Sequence, residues 1–347
     1  MTILLILLIF LFITYIAVGK KNRKVYIFSS FLLLATFAAL RSYQVGPDGA
    51  VYANYFQSLK TMDYSNIAVY FTKEPFFYYV TKWLQDLGID LQGWYGIIGG
   101  IFALGVCKIV YQYSEHTFLS FLSLLALGYY TFSFTGLRQT VALSIVILSI
   151  PLLKKKKYFF YILVVLLAGM FHNSALIFLI MLFMKNIKFS FRQYVVTIII
   201  GVACTFIFRG PIYNLLYLIV ENTGRFEGYA GYSYGLSWAG FIIQVSILLF
   251  SLFCMDEETR ERNRLFLNLS FVGIFFQMFS ALIAEMFRIS MYLSISNIIL
   301  ISNVCMGNRF TKGSKQIATL IVASILLIYL IQSNWNYQYI FYWQNGG

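Results

Sequence analysis

Three short stretches hold the residues best suited to chemistry in this chain. RSYQVGPDGAVYANYF (41–56) sets an arginine, a Gly-Pro turn, an aspartate and spaced aromatics where an apolar run ends. FTGLRQ (134–139) places Arg138 and Gln139 behind a Thr-Gly turn, and AGMFHNSALIF (168–178) sets His172, Asn173 and Ser174 inside an apolar segment. An arginine fork binds phosphate oxygens two at a time and stays charged when desolvated. An aspartate on a hydrated turn is ionised at neutral pH, so Asp48 can act as a general base. Neutral imidazole can accept a proton too, whereas imidazolium binds phosphate, which leaves His172 either role. Tyr52, with Tyr55 and Phe56 beyond it, offers ring faces on which sugars stack.

Each residue also has a plainer reading. Arginines at span ends snorkel to headgroups, an aspartate caps the helix that follows it, and a histidine can simply pack. With 27 tyrosines and 35 phenylalanines in the chain, aromatic content alone decides little, because interfacial belts need it as well. No Walker loop, Rossmann glycine pattern, HExxH helix or paired Asp-x-Asp is present, which leaves ATP coupling and nucleotide-sugar chemistry without support. Cys107, Cys204, Cys254 and Cys305 lie far apart without CxxC spacing. Neither a zinc site nor a disulfide framework is expected, and no cofactor or metal is called for.

The scaffold that must position these residues is a membrane one. The 347 residues are 60% hydrophobic and only 11% charged, and apolar runs near bilayer length recur throughout. The expectation is a single integral membrane domain, 1–347, all α-helical and polytopic, with the first run, Thr2 to Gly19, retained as a span. Basic clusters at 20–24, 154–157, 185–192, 260–264 and 309–315 occupy the gaps between runs, which is the positive-inside pattern. The net charge of +13 is therefore topological, and nucleic acid is not a partner.

Loop parity then predicts about twelve crossings. It places 42–93 outside as a loop with an amphipathic helix (EPFFYYVTKWLQDLG) and 210–236 as a second external loop. YFFYILVVLLAGMFHNSALIFLIMLFM, residues 158–184, is long for one span. A short helical hairpin turning near His172 keeps the later basic gaps inside; one long tilted span is the alternative. Sorted this way, eighteen basic residues and five acids fall inside, and eight of each fall outside. The outer charges, Arg41, Asp48, Glu74, Arg138 and the Glu285/Arg288 pair among them, need a separate explanation, since ionisable groups near membrane depth are costly. His116 is expected in a solvated cytoplasmic loop.

LRSYQVGPDGAVYANYF, then FTGLRQTVALSIVIL before a lysine-rich loop, then LLAGMFHNSALIFL, together resemble the EpsG/Wzy-type family of polysaccharide polymerases. The resemblance is close over about residues 30–185; beyond them it rests on hydropathy and EMFRISMY. It implies a GT-C-like glycosyltransferase of the bacterial cytoplasmic membrane, joining oligosaccharide repeat units carried on undecaprenyl diphosphate at the outer face. Arg41, Asp48, Tyr52, Arg138, Gln139, His172 and Ser174 would be its site positions. Arg41 and Arg138 would then hold diphosphate oxygens, Arg288 a second lipid carrier, and Asp48, in preference to His172, would take the acceptor proton. The lipid bilayer, a chain-length regulator and a flippase are the implied partners. Gly49 departs from the family pattern, which often has threonine there. An O-antigen ligase, a lipid-linked oligosaccharide flippase or transporter without bond exchange, and a membrane O-acyltransferase are the rival readings.

Overall fold

The computed structural model describes residues 1–221, 238–283 and 285–344. Among them, helix is the only regular structure apart from a single bridge between Arg41 and Phe341. The chain forms two compact units, Met1–Leu179 with Lys312–Gly347, and Ile180–Thr311.

In the first unit, α1 (Thr2–Thr14, extended by a π turn to Gly19) and α2 (Arg23–Ala39) precede three shorter helices. These are α3 (Gly49–Leu59), α4 (Tyr64–Tyr70) and α5 (Pro75–Asp86). Then come α6 (Leu91–Tyr113), α7 (Thr117–Ala126), α8 (Tyr129–Phe132), α9 (Leu137–Lys154) and α10 (Tyr158–Phe171). The long α6 lies between α2 and α9. Small residues make that approach possible, as they do in lipid. A Cβ on Gly99 would collide with Ala38, and one on Gly105 would sit 3.3 Å from the Ser144 carbonyl oxygen.

The two ends of this unit differ in chemistry. At one, the Arg23 guanidinium donates to the carbonyls of Val110 (2.7 Å) and Ser114 (2.6 Å), a cation at the C-terminus of α6. Lys154 lies over the Tyr113 ring at 4.4 Å at the same end. So the basic gaps 20–24 and 154–157 come together. His116 is not the solvated loop residue expected there: its Nδ1 accepts the Leu119 N–H at 3.2 Å and caps α7, with the ring against Tyr15. At the opposite end lie the close of α2, the starts of α6 and α9, and the close of α10. Over that end α3 and α5 fold with Trp94 into a cluster of Tyr52, Phe56, Phe77 and Tyr78. As the sequence predicts, α5 is two-faced, burying Phe77, Tyr78 and Thr81 while leaving Trp83 exposed.

Beyond α10 the backbone is extended at His172 (φ −158°, ψ 113°) and continues as a 3-10 helix, Asn173–Ile180. The Tyr161 hydroxyl donates to the Phe178 carbonyl at 2.5 Å, and a Cβ on Gly169 would meet Leu176. Contacts between residues that far apart in sequence require the chain to double back at His172.

The second unit contains α11 (Met181–Met184), α12 (Phe191–Ile207), α13 (Arg209–Glu221), α14 (Trp238–Cys254), α15 (Glu257–Phe279), α16 (Glu285–Ser294) and α17 (Asn297–Met306). Buried amides and hydroxyls link its helices, the usual interhelical glue where no water can substitute. Tyr194 donates to Asn268 at 2.7 Å, Asn303 to Asn263 at 2.7 Å, and Ser270 to Asn297 at 2.7 Å. The second expected external loop, 210–236, begins within α13; its residues from 222 onward lie outside the described ones. The chain then returns to the first unit as α18 (Lys312–Ser333), against α7.

Among the described residues, five helical stretches are long and apolar enough to cross a bilayer: Thr2–Gly19, Leu91–Tyr113, Leu137–Lys154, Met286–Met306 and Lys312–Ser333. A sixth candidate, Phe191–Ile207 with Arg209–Leu215, bends by 90°. Most of the other stretches expected to cross are shorter or interrupted helices, while the 23-residue α15 opens with a charged run from Glu257 to Arg264. Gly128, at φ +77°, stops α7, and His172 stops α10.

Candidate functional site

The helix that starts with Pro75 organises the site. Proline suits a first helical position, where no N–H is needed and φ is already correct. It also disfavours the right-handed helical region for the residue before it. Glu74 takes neither that region nor the extended one usual before proline, but the left-handed conformation, φ 55° and ψ 52°. For a non-glycine residue such a conformation costs about 1–3 kcal/mol and persists only where surroundings impose it.

Those surroundings are ionic. The Glu74 side chain is 2% exposed, and its Oε2 lies 2.9 Å from Nη1 of Arg138. Its Oε1 accepts the Asn173 N–H at 2.9 Å and stands 2.8 Å from His172 Nδ1. The ring is turned off the line of an ideal hydrogen bond. A buried carboxylate survives only with such company. Arg138 also donates to the Lys73 carbonyl at 3.2 Å, shares a hydrogen bond with the Tyr52 hydroxyl, and lies 5.9 Å from the centre of the Tyr78 ring. Burial pushes the Tyr52 phenol above its ordinary range, with Arg138 pulling the other way, so this hydroxyl is neutral at physiological pH. Arg138, Tyr52 and His172, predicted from separate motifs, are thus joined through a residue that sequence reasoning counted only among the outer acids. The available signal was Lys73-Glu74-Pro75 at the head of a two-faced helix.

Ser174 follows in the first turn of the 3-10 helix, and Gln139 is buried next to Arg138, against the Gly136 turn. Asp48 is half-buried at the N-cap position of α3, yet its side chain takes no helix N–H, so capping does not account for it. It acts electrostatically on Tyr52, which puts it on the same side of the site. Gly46, at φ +88°, brings that turn against the Phe134 carbonyl, where a Cβ would lie 3.2 Å away. Gly49 has a steric reason to depart from threonine: any Cβ there would collide with the Tyr43 carbonyl oxygen.

Arg41 has different partners. Expected at the end of a span, where it would hold a diphosphate, it is 1% exposed. Its guanidinium lies between the rings of Tyr95 (4.3 Å) and Phe134 (4.7 Å), and Nη1 donates to the Ala38 carbonyl at 2.9 Å. The C-terminal segment covers it. The Ser42 N–H donates to Ile340 at 2.8 Å, the Tyr342 N–H to Leu40 at 3.0 Å, and the hydroxyls of Tyr130, Tyr337 and Tyr339 are near enough to act on its charge. Arg288 belongs to the second unit, half-buried on α16, and the side chain of Glu285 lies outside the described residues. Among the described residues no three His, Cys, Asp or Glu side chains converge as a metal site requires.

The cluster pairs an arginine and an imidazole around one carboxylate, beside phenols, at the end of the unit opposite the lysine-rich gaps. It can neutralise an anionic leaving group and accept a proton. Compared with known proteins, the chain has no match among curated proteins or among solved structures. A family model does match it, over residues 24–344. That match runs from α2 to the segment covering Arg41, well past the three motifs of the first half, and the chain belongs as a whole to the EpsG family.

Proposed function

We propose that this membrane protein polymerises oligosaccharide repeat units carried on undecaprenyl diphosphate, at the outer face of the bacterial cytoplasmic membrane. The observation that carries this reading is the Arg138–Glu74–His172 cluster with Tyr52 at its edge, in a chain of the EpsG family. In the reaction, an acceptor sugar hydroxyl attacks the anomeric carbon as the bond to the lipid diphosphate breaks. Charge develops on the diphosphate, and a preorganised guanidinium aimed at it stabilises that charge. Asp48 and His172 are the two groups placed to take the acceptor proton. Arg41 enters only as support for the turn that carries Asp48, because it is buried beneath the C-terminal segment. A flippase supplying the repeat units and a chain-length regulator are the proposed partners.

The test is reconstitution of the purified protein in proteoliposomes with a lipid-diphosphate-linked repeat unit. A ladder of longer lipid-linked products is expected. Transfer only to a different lipid acceptor would identify a ligase, and movement across the bilayer without bond exchange a flippase.

Sidedness has its own test. Single cysteines at Ser58 and Asn173, both exposed, should react with an impermeant maleimide in intact spheroplasts of a cysteine-free background. A cysteine at Lys155, in the basic gap, should react only after permeabilisation. The reverse pattern would move the site to the cytoplasmic face.

A further inference from the structure

We propose that Glu74 is a positioning residue that holds His172 with Nδ1 protonated and Nε2 as the proton acceptor, making His172 rather than Asp48 the base of glycosyl transfer. The inference rests on the polymerase reading above and assigns a role that neither the three motifs nor the family match gives to residue 74. It starts from the 2.8 Å between Glu74 Oε1 and His172 Nδ1. A carboxylate oxygen this close favours hydrogen on Nδ1 over a second lone pair, and a small rotation of the ring brings that N–H into line with it. Neutral imidazole has a single N–H, and placing it on Nδ1 leaves the lone pair on Nε2.

The carboxylate is itself fixed. Its Oε1 accepts the N–H of Asn173, the residue next to the histidine, and its Oε2 pairs with Arg138 at 2.9 Å. The pairing keeps Glu74 ionised while buried, and an ionised carboxylate on the far nitrogen both orients an imidazole base and stabilises the imidazolium that forms. The left-handed backbone at Glu74 has the same effect, since it turns this side chain toward the hairpin tip at the start of α5 instead of leaving it to cap that helix. Asp48 lies half-buried on its turn, and His172 is the more buried of the two, its Nε2 enclosed among protein atoms, so acceptor binding must open a path to that nitrogen.

The step balances as follows. The acceptor hydroxyl oxygen forms the new bond to the anomeric carbon, and its proton passes to His172 Nε2. The old C–O bond breaks, its electron pair leaving on the diphosphate oxygen beside Arg138. The imidazolium then returns its proton to water.

The chain has two histidines, so His116→Asn leaves His172 alone, and asparagine serves as a helix cap at that position. In 15N-histidine-labelled protein of this background, the nitrogen shifts should show Nδ1 protonated and Nε2 bearing the lone pair. Glu74→Gln, whose amide can donate to Nδ1, should shift the ring toward the opposite tautomer. Its kcat for chain extension should fall by about 10²–10⁴-fold, as when a base is lost or held in the wrong tautomer. Glu74→Asp keeps the charge and should recover both the tautomer and at least about a tenth of the activity. Two results overturn the proposal. One is an unchanged tautomer in Glu74→Gln. The other is a loss of turnover in both variants that merely follows their folded fraction by thermal unfolding, as expected if Glu74 only ties α5 to the hairpin. The tautomer is read without substrate, so it stands or falls separately from the polymerase reading.

Discussion

Arg138→Lys is expected to lower chain extension by about 10²–10³-fold, nearly as far as Arg138→Ala, the scale seen on removing a preorganised donor from a developing anion. The two variants should nevertheless differ in stability. Arg138 donates to the Lys73 carbonyl, bonds with Tyr52 and pairs with Glu74 through one planar group. A lysine ammonium can keep the pair with the carboxylate, but it cannot present a fork to the other partners and a phosphate together. Alanine leaves Glu74 buried beside a lost partner, which costs about 3–5 kcal/mol. The lysine variant should thus melt near the wild type yet give no ladder, and the alanine variant should fail in both measurements. A normal ladder from the lysine variant would show that charge alone suffices.

Arg41→Ala should cost about 3–5 kcal/mol of stability, the range for truncating a large buried side chain. The guanidinium fills the space between Tyr95 and Phe134, and its backbone pairs with Phe341, so its loss opens a cavity under the C-terminal segment. Arg41→Met, which keeps much of the volume, should fall between alanine and wild type. The measurements are thermal unfolding in detergent and protease cleavage after residue 333. If Arg41→Ala leaves both unchanged and instead abolishes donor binding, then the arginine is a ligand of the diphosphate.

Much of this was legible in the sequence because it is local. Asn22, Asp90 and Ser190, though not singled out in the sequence, each accept an N–H of the helix they precede, a purely local rule. The two-faced pattern of 74–88 gives a two-faced helix. The preference for a hairpin at His172, which came from the parity of basic gaps, matches the contact of Tyr161 with Phe178. What could not be read depends on partners distant in the chain. Glu74 meets Arg138 and His172 only after folding, and its left-handed backbone has no pattern of its own beyond the proline that follows. The burial of Arg41 was not legible because Tyr95, Phe134 and the C-terminal segment reach it only after folding. His116 caps a helix that begins in the gap where a loop was expected. Composition alone does not set the count of crossings: Gly128 interrupts a stretch that reads as continuous, and the break at His172 was expected only from the parity of basic gaps.

The segment over Arg41 sets an order of assembly. Tyr339 donates to the Phe37 carbonyl across 302 positions of sequence, and Ile340 and Tyr342 pair with residues 40–42. When α2 first leaves the translocon, the strip that will cover its end has not been made, and the whole second unit is translated before it appears. Until the ribosome reaches that strip, Arg41 lacks the cover that residues 339–342 provide. The cover over this charge is therefore completed late in synthesis, when Tyr337 and Tyr339 arrive beside it.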